Sequence, residues 1–283
     1  MQTSNASNQI IADLLAEHTG QQLTESRRWR INTALSSVFR EHGISNVDQL
    51  VCLLDTKRTL SEKRALVEQI VEALLNNETY FFRDKPTFDQ LPESILPEIA
   101  QKRAATRRIS IWSAGCSTGQ EVHSLAMVFA DNPDQWAGWT IEILGTDVSA
   151  KAVDSARSGV YSQFEVQRGL GVVEMLRHFD EASDGWKIKN STRAFTRFQK
   201  HNVLSQPPSS QKFDLILCRN VLLYFDQQTR AKAFARLASA VANDGFLMLG
   251  AGETVVGQTS DFQPCSGRAS MYQRKIEPTS PAR

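Results

Sequence analysis

Apolar residues recur at helical spacing through roughly the first hundred positions. "NQIIADLLAEH" places them three and four apart, and Gly20 closes the segment. "TESRRWRINTALSSVFREHG" predicts a longer second helix, stopped by Gly43. "VDQLVCLLD" follows, with Ser45 or Asn46 available as its cap. In "LSEKRALVEQIVEALLNN", Thr59 stands three residues before Glu62, the spacing of a capping box, and Leu66, Ile70, Val71 and Leu74 share one stripe. Helices of this kind without strands predict a small helical bundle.

From about residue 108 the period changes. The short apolar runs "ISIWS", "IEILGTD", "FDLILCRN" and "GFLMLG" alternate with the helix-like stretches "GQEVHSLAMVFAD", "SAKAVDSARSG" and "DQQTRAKAFARLASAVAND". Continuously apolar strands separated by helices imply a parallel sheet covered on both faces, an α/β doubly wound domain with its ligand beyond the carboxyl ends of the strands. Between about 160 and 200, "WKIKN" and "RAFTRFQKHNV" interrupt the alternation and read as a small antiparallel β insertion. There is no internal repeat. The organisation expected is 1–76 helical, 77–107 linking, 108–276 α/β, and 277–283, "EPTSPAR", a flexible tail.

Composition narrows the function. A formal net charge of +1 offers no broad basic field for nucleic acid. Cys52, Cys116, Cys218 and Cys265 form no CxxC pair, and the histidines show no ligand spacing, so neither a disulfide framework nor a metal site is expected. No signal peptide and no membrane-spanning stretch is read, and a cytoplasmic, soluble chain is expected.

The chemistry concentrates in "SAGCSTGQE", 113–121, between a predicted strand and helix. It fails the phosphate-loop pattern for want of spacing and lysine. It fails the dinucleotide pattern because Ser117 stands at the second glycine position. Glycines alone mark only a turn. Glu121 suits the first turn of a helix dipole, yet would repel a pyrophosphate. Asp147, at the end of the next strand, is placed to accept ribose hydroxyls or to cap the helix starting near Ser149. Together these acids describe a nucleoside ligand with positive charge and no phosphate, which S-adenosylmethionine matches. Asn220, just past "LILC", and "NNETYFFRD", between the two halves, carry more polarity than packing requires.

With "NNETYFFRD" (76–84), "WSAGCSTGQE" (112–121), "LGTDVS" (144–149) and "FDLILCRNVLLYFD" (213–226) in one order, the chain resembles the chemotaxis receptor (CheR) methyltransferase family over nearly its whole length. The resemblance implies a helical receptor-recognition domain before a class I S-adenosylmethionine-dependent methyltransferase domain. It implies methyl esterification of glutamates on the cytoplasmic helices of bacterial chemoreceptors, by a monomer. It further implies that Asn77, Thr79, Arg83, Ala114 and Gly115 contact the cofactor, that Glu121 meets its methionyl part, Asp147 its ribose, and Asn202 and Val203 its adenine surroundings, with Arg219 and Asn220 completing the pocket. Arg83 and Tyr224 are the positions nearest the transferring methyl and the acceptor carboxylate. Arg27, Arg28, Arg30 and Arg40 would grip the receptor, although Ser36 and Ser37 stand where paired basic residues are common. Val122 and His123 replace the family's usual Pro-Tyr, a change expected to alter helix packing more than cofactor binding.

A glutamate carboxylate is ionised at neutral pH and needs no base, so placement of the reacting groups is the main demand. Two other readings stay open on the residues alone: a methyltransferase for another protein or small-molecule acceptor, and a non-catalytic module that binds cofactor or receptor.

Overall fold

The computed structural model describes residues 5–23, 29–56 and 59–275. Arg27, Arg28, the opening of the second predicted helix and the tail 277–283 lie outside the described residues. The chain divides into two compact units, Met1–Asn76 with Tyr224–Asp226, and Asn77–Leu223 with Gln227–Arg283.

The first unit is helical: α1 (Asn5–Thr19), α2 (Ile31–Ala34), α3 (Ser36–His42), α4 (Val47–Asp55) and α5 (Leu60–Leu74). Their apolar stripes meet in a core of Ile11, Ile31, Leu35, Leu50, Leu66 and Ile70, all at most 1% exposed. Local signals set most boundaries. Asn46 accepts from the Gln49 N–H at 3.0 Å, and Thr59 and Glu62 form the reciprocal capping box. Gly43, at φ 64°, ends α3 in the left-handed conformation. The predicted second helix is not continuous, because Leu35 leaves helical geometry at φ −83°, ψ 2°. Neither Gly nor Pro marks the break. Leu35 is fully buried in this core, so packing overrides a local preference for unbroken helix. A sequence-distant strip joins the same unit. Tyr224 accepts from the Gln22 N–H at its carbonyl (2.7 Å) and from Asn76 Nδ2 at its hydroxyl (2.7 Å).

Among its described residues the second unit holds ten strands: β1 (Arg108–Ala114), β2 (Thr140–Asp147), β3 (Val160–Tyr161), β4 (Phe179–Ala182), β5 (Gly185–Ile188), β6 (Thr196–Lys200), β7 (Phe213–Cys218), β8 (Val241–Leu249), β9 (Phe262–Pro264) and β10 (Met271–Arg274). Seven form one sheet in the order β6-β2-β1-β7-β8-β10-β9. The first five run parallel, β10 pairs antiparallel with β8, and β9 pairs antiparallel with β10. Between β1 and β2 runs α6 (Gln120–Ala130), and α7 (Ala150–Ser158) follows β2. The helix before β8 is α8 (Gln227–Ala240). Every residue of β7 is buried, as expected of a central strand covered on both faces. Strand order reverses between β1 and β7, which opens a crevice at their carboxyl ends.

The interruption after α7 resolves into two parts. β3, β5 and β4 make the small antiparallel sheet. Thr196–Lys200, expected within that insertion, instead pairs parallel with β2 as the edge of the main sheet. The seat for Phe198 is Gly145 of β2, where a Cβ would lie 2.7 Å from the Phe198 ring. "VAND", expected in the last helix, belongs to β8: Val241 pairs with Phe213, and the register shifts between Phe213 and Leu215. His123 is fully buried, its ring edge-on to Tyr161 and Phe198, and its Nε2 donates to the Ala156 carbonyl at 3.3 Å. Burial lowers its pKa to about 4, so it packs as a neutral core side chain.

Candidate functional site

The ends of β1, β2, β6, β7 and β8 build the site. Past β1, the Gly115 and Cys116 N–H groups both donate to the Thr146 carbonyl, at 2.8 and 2.9 Å. Gly115, at φ 85°, is required twice over, since a Cβ there would also lie 2.3 Å from Val221 Cγ2. Ser117 is left-handed at φ 51°, a conformation costing a non-glycine residue about 1–2 kcal/mol. It is held by the Asp147 carboxylate, whose Oδ2 accepts the Ser117 N–H at 2.8 Å. The Ser117 hydroxyl donates to the Asn77 carbonyl at 2.6 Å, tying "NNETYFFRD" to the glycine loop. The second oxygen of Asp147 accepts the Ser149 N–H at 2.9 Å, while Ser149 itself caps α7.

Glu121 stands in the first turn of α6. Its Oε1 accepts from Ser113 Oγ at 2.8 Å and its Oε2 from Arg219 Nη1 at 3.0 Å. The Arg219 side chain, 2% exposed, also reaches the Arg83 carbonyl (2.7 Å) and Asp84 Oδ2 (3.0 Å). One guanidinium thus faces two carboxylates, leaving the cluster net negative. Asp147 adds a second negative charge close by: both Asp147 and Glu121 act on the buried thiol of Cys116, which burial first, and then these carboxylates, push well up. That thiol stays protonated and is no nucleophile.

Asn220, past β7, is left-handed at φ 59°, and its N–H is accepted by Glu253 Oε2 at 2.7 Å. Arg219 Nε and Asn220 Oδ1 are buried without a partner. Two unmet polar atoms side by side at a strand end are what a ligand site leaves when drawn without its ligand. Val203 is buried, and Asn202 Oδ1 accepts the Leu204 N–H at 2.9 Å. The His201 N–H donates to the Asp147 carbonyl (2.8 Å), so the 201–203 segment is registered to the end of β2. Ala114 is buried beneath the glycine loop and Thr79 is half-buried. The half-buried Arg83 donates to the Glu78 carbonyl at 3.1 Å and lies 5.5 Å from the Tyr80 ring centroid.

Two hydrogen-bonded sets therefore flank the glycine loop: Asn77 with Ser117 and Asp147, and Glu121 with Arg219, Asp84 and the Arg83 carbonyl. Tyr224 belongs to the helical unit instead. There it lines a cavity of about 70 Å³ with Arg30, Gln21, Gln22 and Asn76. Arg30 and Arg40 are exposed, whereas Arg27 and Arg28 lie outside the described residues. Sequence reasoning missed Ser117, Asp84 and Glu253. Ser117 was discounted as a failed glycine, and Glu253 stands in "LGAGE", a strand-end glycine turn with an acid that repeats the logic of "SAGCSTGQE".

The acid-lined crevice suits S-adenosylmethionine. Its net negative charge complements sulfonium and ammonium groups, and two unmet polar atoms border it. Residues 77–271 match the family profile described as "CheR methyltransferase, SAM binding domain". Chemotaxis protein methyltransferase 1 of Pseudomonas aeruginosa is 30% identical over 93% of this chain and 95% of its own length. A chemotaxis protein methyltransferase of Vibrio anguillarum is 33% identical over 88% and 89% of the two chains. Cher2 of Pseudomonas putida, also named a chemotaxis protein methyltransferase, is 31% identical over 97% of this chain and 100% of its own. Site chemistry, profile and full-length relatives agree: this chain belongs to the CheR methyltransferase family, and 77–271 is its S-adenosylmethionine-binding domain.

Proposed function

We propose that the protein methylates glutamate side chains on the cytoplasmic helices of chemoreceptors, forming the methyl esters used in sensory adaptation, and works as a cytoplasmic monomer. The observation that carries the reading is the pairing of Glu121 and Asp147 around the Cys116 loop, an arrangement suited to a cationic nucleoside methyl donor. The names of the curated relatives support a role in chemotaxis. No described helix is long and apolar enough to cross a membrane.

In this reading 1–76 recognises the receptor, 77–107 links and contacts the cofactor, and 108–276 carries the transferase site. Asn77, Thr79, Arg83, Ala114 and Gly115 line the cofactor. Glu121 takes its ammonium end, Asp147 its ribose, Asn202 and Val203 its base, and Asn220 closes the crevice. Arg219, occupied by Glu121, Asp84 and the Arg83 carbonyl, serves by holding those groups in place. S-adenosylmethionine, when bound, supplies an electrophilic methyl group on a sulfonium. The acceptor carboxylate is already ionised, so the protein needs no general base. Arg83 orients it by charge and Tyr224 contributes a hydrogen bond. The exposed Arg30 and Arg40, with Arg27 and Arg28, attract acidic receptor helices.

The test is incubation with methyl-labelled S-adenosylmethionine and receptor cytoplasmic fragments. Label released by mild alkali is expected, since esters hydrolyse and methylamines do not. Alkali-stable label would move the acceptor to nitrogen, and absence of label on every fragment would sink the receptor assignment. Tyr224→Phe and Arg83→Lys should lower turnover more than cofactor affinity.

A further inference from the structure

The crevice is clamped on both sides by the same device, and only one half of it has a role so far. After β1, a left-handed residue, Ser117, has its N–H caught by a carboxylate from the end of the neighbouring strand β2, Asp147. After β7, the left-handed Asn220 has its N–H caught by Glu253, from beyond the neighbouring strand β8. Glu253 does more than meet one amide. Its Oε2 also accepts the Gly250 N–H at 2.9 Å, and its Oε1 accepts the Leu223 N–H at 3.1 Å. Three backbone donors from two strand-end loops thus converge on one carboxylate. Charge-assisted bonds of this kind are about twice as strong as neutral ones, and they hold a backbone conformation that an ordinary loop would abandon.

The surroundings leave little slack. A Cβ on Gly250 would lie 2.9 Å from the Asn220 nitrogen, 2.9 Å from Glu253 Oε2 and 3.0 Å from Asn220 Nδ2. The loop is therefore pressed against the Gly250 backbone. Glu253 shares its setting with Glu121, since both carboxylates act on the buried Cys218 thiol at the end of β7. Among the described residues, Glu253 has no cationic partner, and its oxygens are taken up by backbone amides.

We propose that Glu253 is a positioning residue of the methyl-donor crevice: its carboxylate locks the 220–223 loop in the left-handed turn that presents Asn220, as Asp147 locks the glycine loop. This rests on the reading that Asn220 borders the cofactor.

Two measurements on the full chain separate the possibilities: amide hydrogen exchange of the ligand-free protein, and calorimetric titration with S-adenosylhomocysteine. In Glu253→Gln one accepting oxygen becomes an amide NH2 group, a donor facing a backbone donor. Exchange at 220, 223 and 250 should accelerate while the β1 and β2 amides keep their protection. The dissociation constant for S-adenosylhomocysteine should rise about tenfold, the loss of one charge-assisted bond. Gly250→Ala, which keeps the carboxylate but forces the loop away, should reproduce both effects, and it carries the test if Glu253→Gln fails to fold. Unchanged exchange and unchanged affinity in these variants would overturn the inference. Weakened affinity with unchanged exchange at 220, 223 and 250 would also overturn it, by making Glu253 a direct contact. Asn220→Ala serves as control: wild-type affinity there would remove the premise about Asn220, while a weakened Asn220→Ala beside an unaltered Glu253→Gln would defeat the positioning role alone.

Discussion

Two clusters with the same ingredients sit at opposite ends of the central strands of the main sheet. Towards the amino ends of the strands, Arg103 meets Asp214 through Nε at 2.6 Å and Asp244 through Nη1 and Nη2 at 2.8 and 2.6 Å. The other oxygen of Asp214 accepts the Ser110 N–H at 2.8 Å. At the carboxyl ends, Arg219 meets Glu121 and Asp84. Each is one guanidinium between two carboxylates. The first leaves no guanidinium nitrogen idle and its arginine is 22% exposed, whereas the second is 2% exposed and leaves Nε unpartnered. The amino-end cluster staples Arg103, the C-cap of the helix Leu96–Lys102, to β7 and β8, and through Asp214 to β1. The carboxyl-end cluster holds charge in a crevice at some cost in unmet polar atoms, the usual signature of a site shaped for a ligand.

Breaking the second cluster should have the largest effect. Arg219→Ala strands two carboxylates around a buried void and should cost about 3–5 kcal/mol in denaturant unfolding, with loss of S-adenosylhomocysteine binding. Next is Glu121→Gln, which keeps the shape and removes the charge. It should weaken S-adenosylhomocysteine binding by about ten- to a hundredfold in calorimetry, with unfolding changed by less than about 1 kcal/mol. Arg103→Ala should do the reverse, lowering stability by about 1–2 kcal/mol and leaving cofactor affinity within about twofold. If Arg103→Ala weakens binding as strongly as Glu121→Gln, the division of labour between the two ends is wrong. The smallest effect is on pH dependence. The hydrogen bond from Arg103 holds the Asp244 carboxyl below its ordinary value. A folded pKa below the unfolded one contributes stability that is complete above the ordinary carboxylate range and fades as pH falls through the folded value. The stability gap between wild type and Arg103→Ala should therefore narrow on acidification below about pH 4, as read from unfolding midpoints.

The residues of the carboxyl-end site were unequally visible in the sequence. "SAGCSTGQE" and "LGTDVS" are contiguous stretches whose strand–turn–helix context is local, so Glu121 and Asp147 could be picked out directly. Asp84 could not, and Glu253, although its "LGAGE" turn is local, shows nothing in the sequence of the amides that it holds. Asp84 acts through an arginine 135 positions away, and Glu253 through an amide 33 positions away. Ser117 was read for its missing glycine rather than its amide, and only the register of β1 on β2 brings that amide to Asp147. The edge strand β6 was misplaced because "TRFQK" has a single large apolar residue, whose partner is the bare backbone of Gly145. The break at Leu35 carries no local breaker at all.

Taken alone, the sequence determined the elements whose causes are local: the capping box of α5, the apolar strands, the glycine turn and its acid. It also pointed towards a cationic nucleoside ligand, because Glu121 in the first turn of α6 disfavours a pyrophosphate and Asp147 stands at the end of the next strand. Tertiary structure decided how charge and strain are shared. It set Arg219 between Glu121 and Asp84, put Asp147 and Glu253 under two left-handed turns, and gathered Tyr224 into the helical unit beside Asn76. The physical reason is range. A cap or a turn is complete within a few residues, whereas a buried charge is balanced by whatever partner the fold delivers, at any distance along the chain.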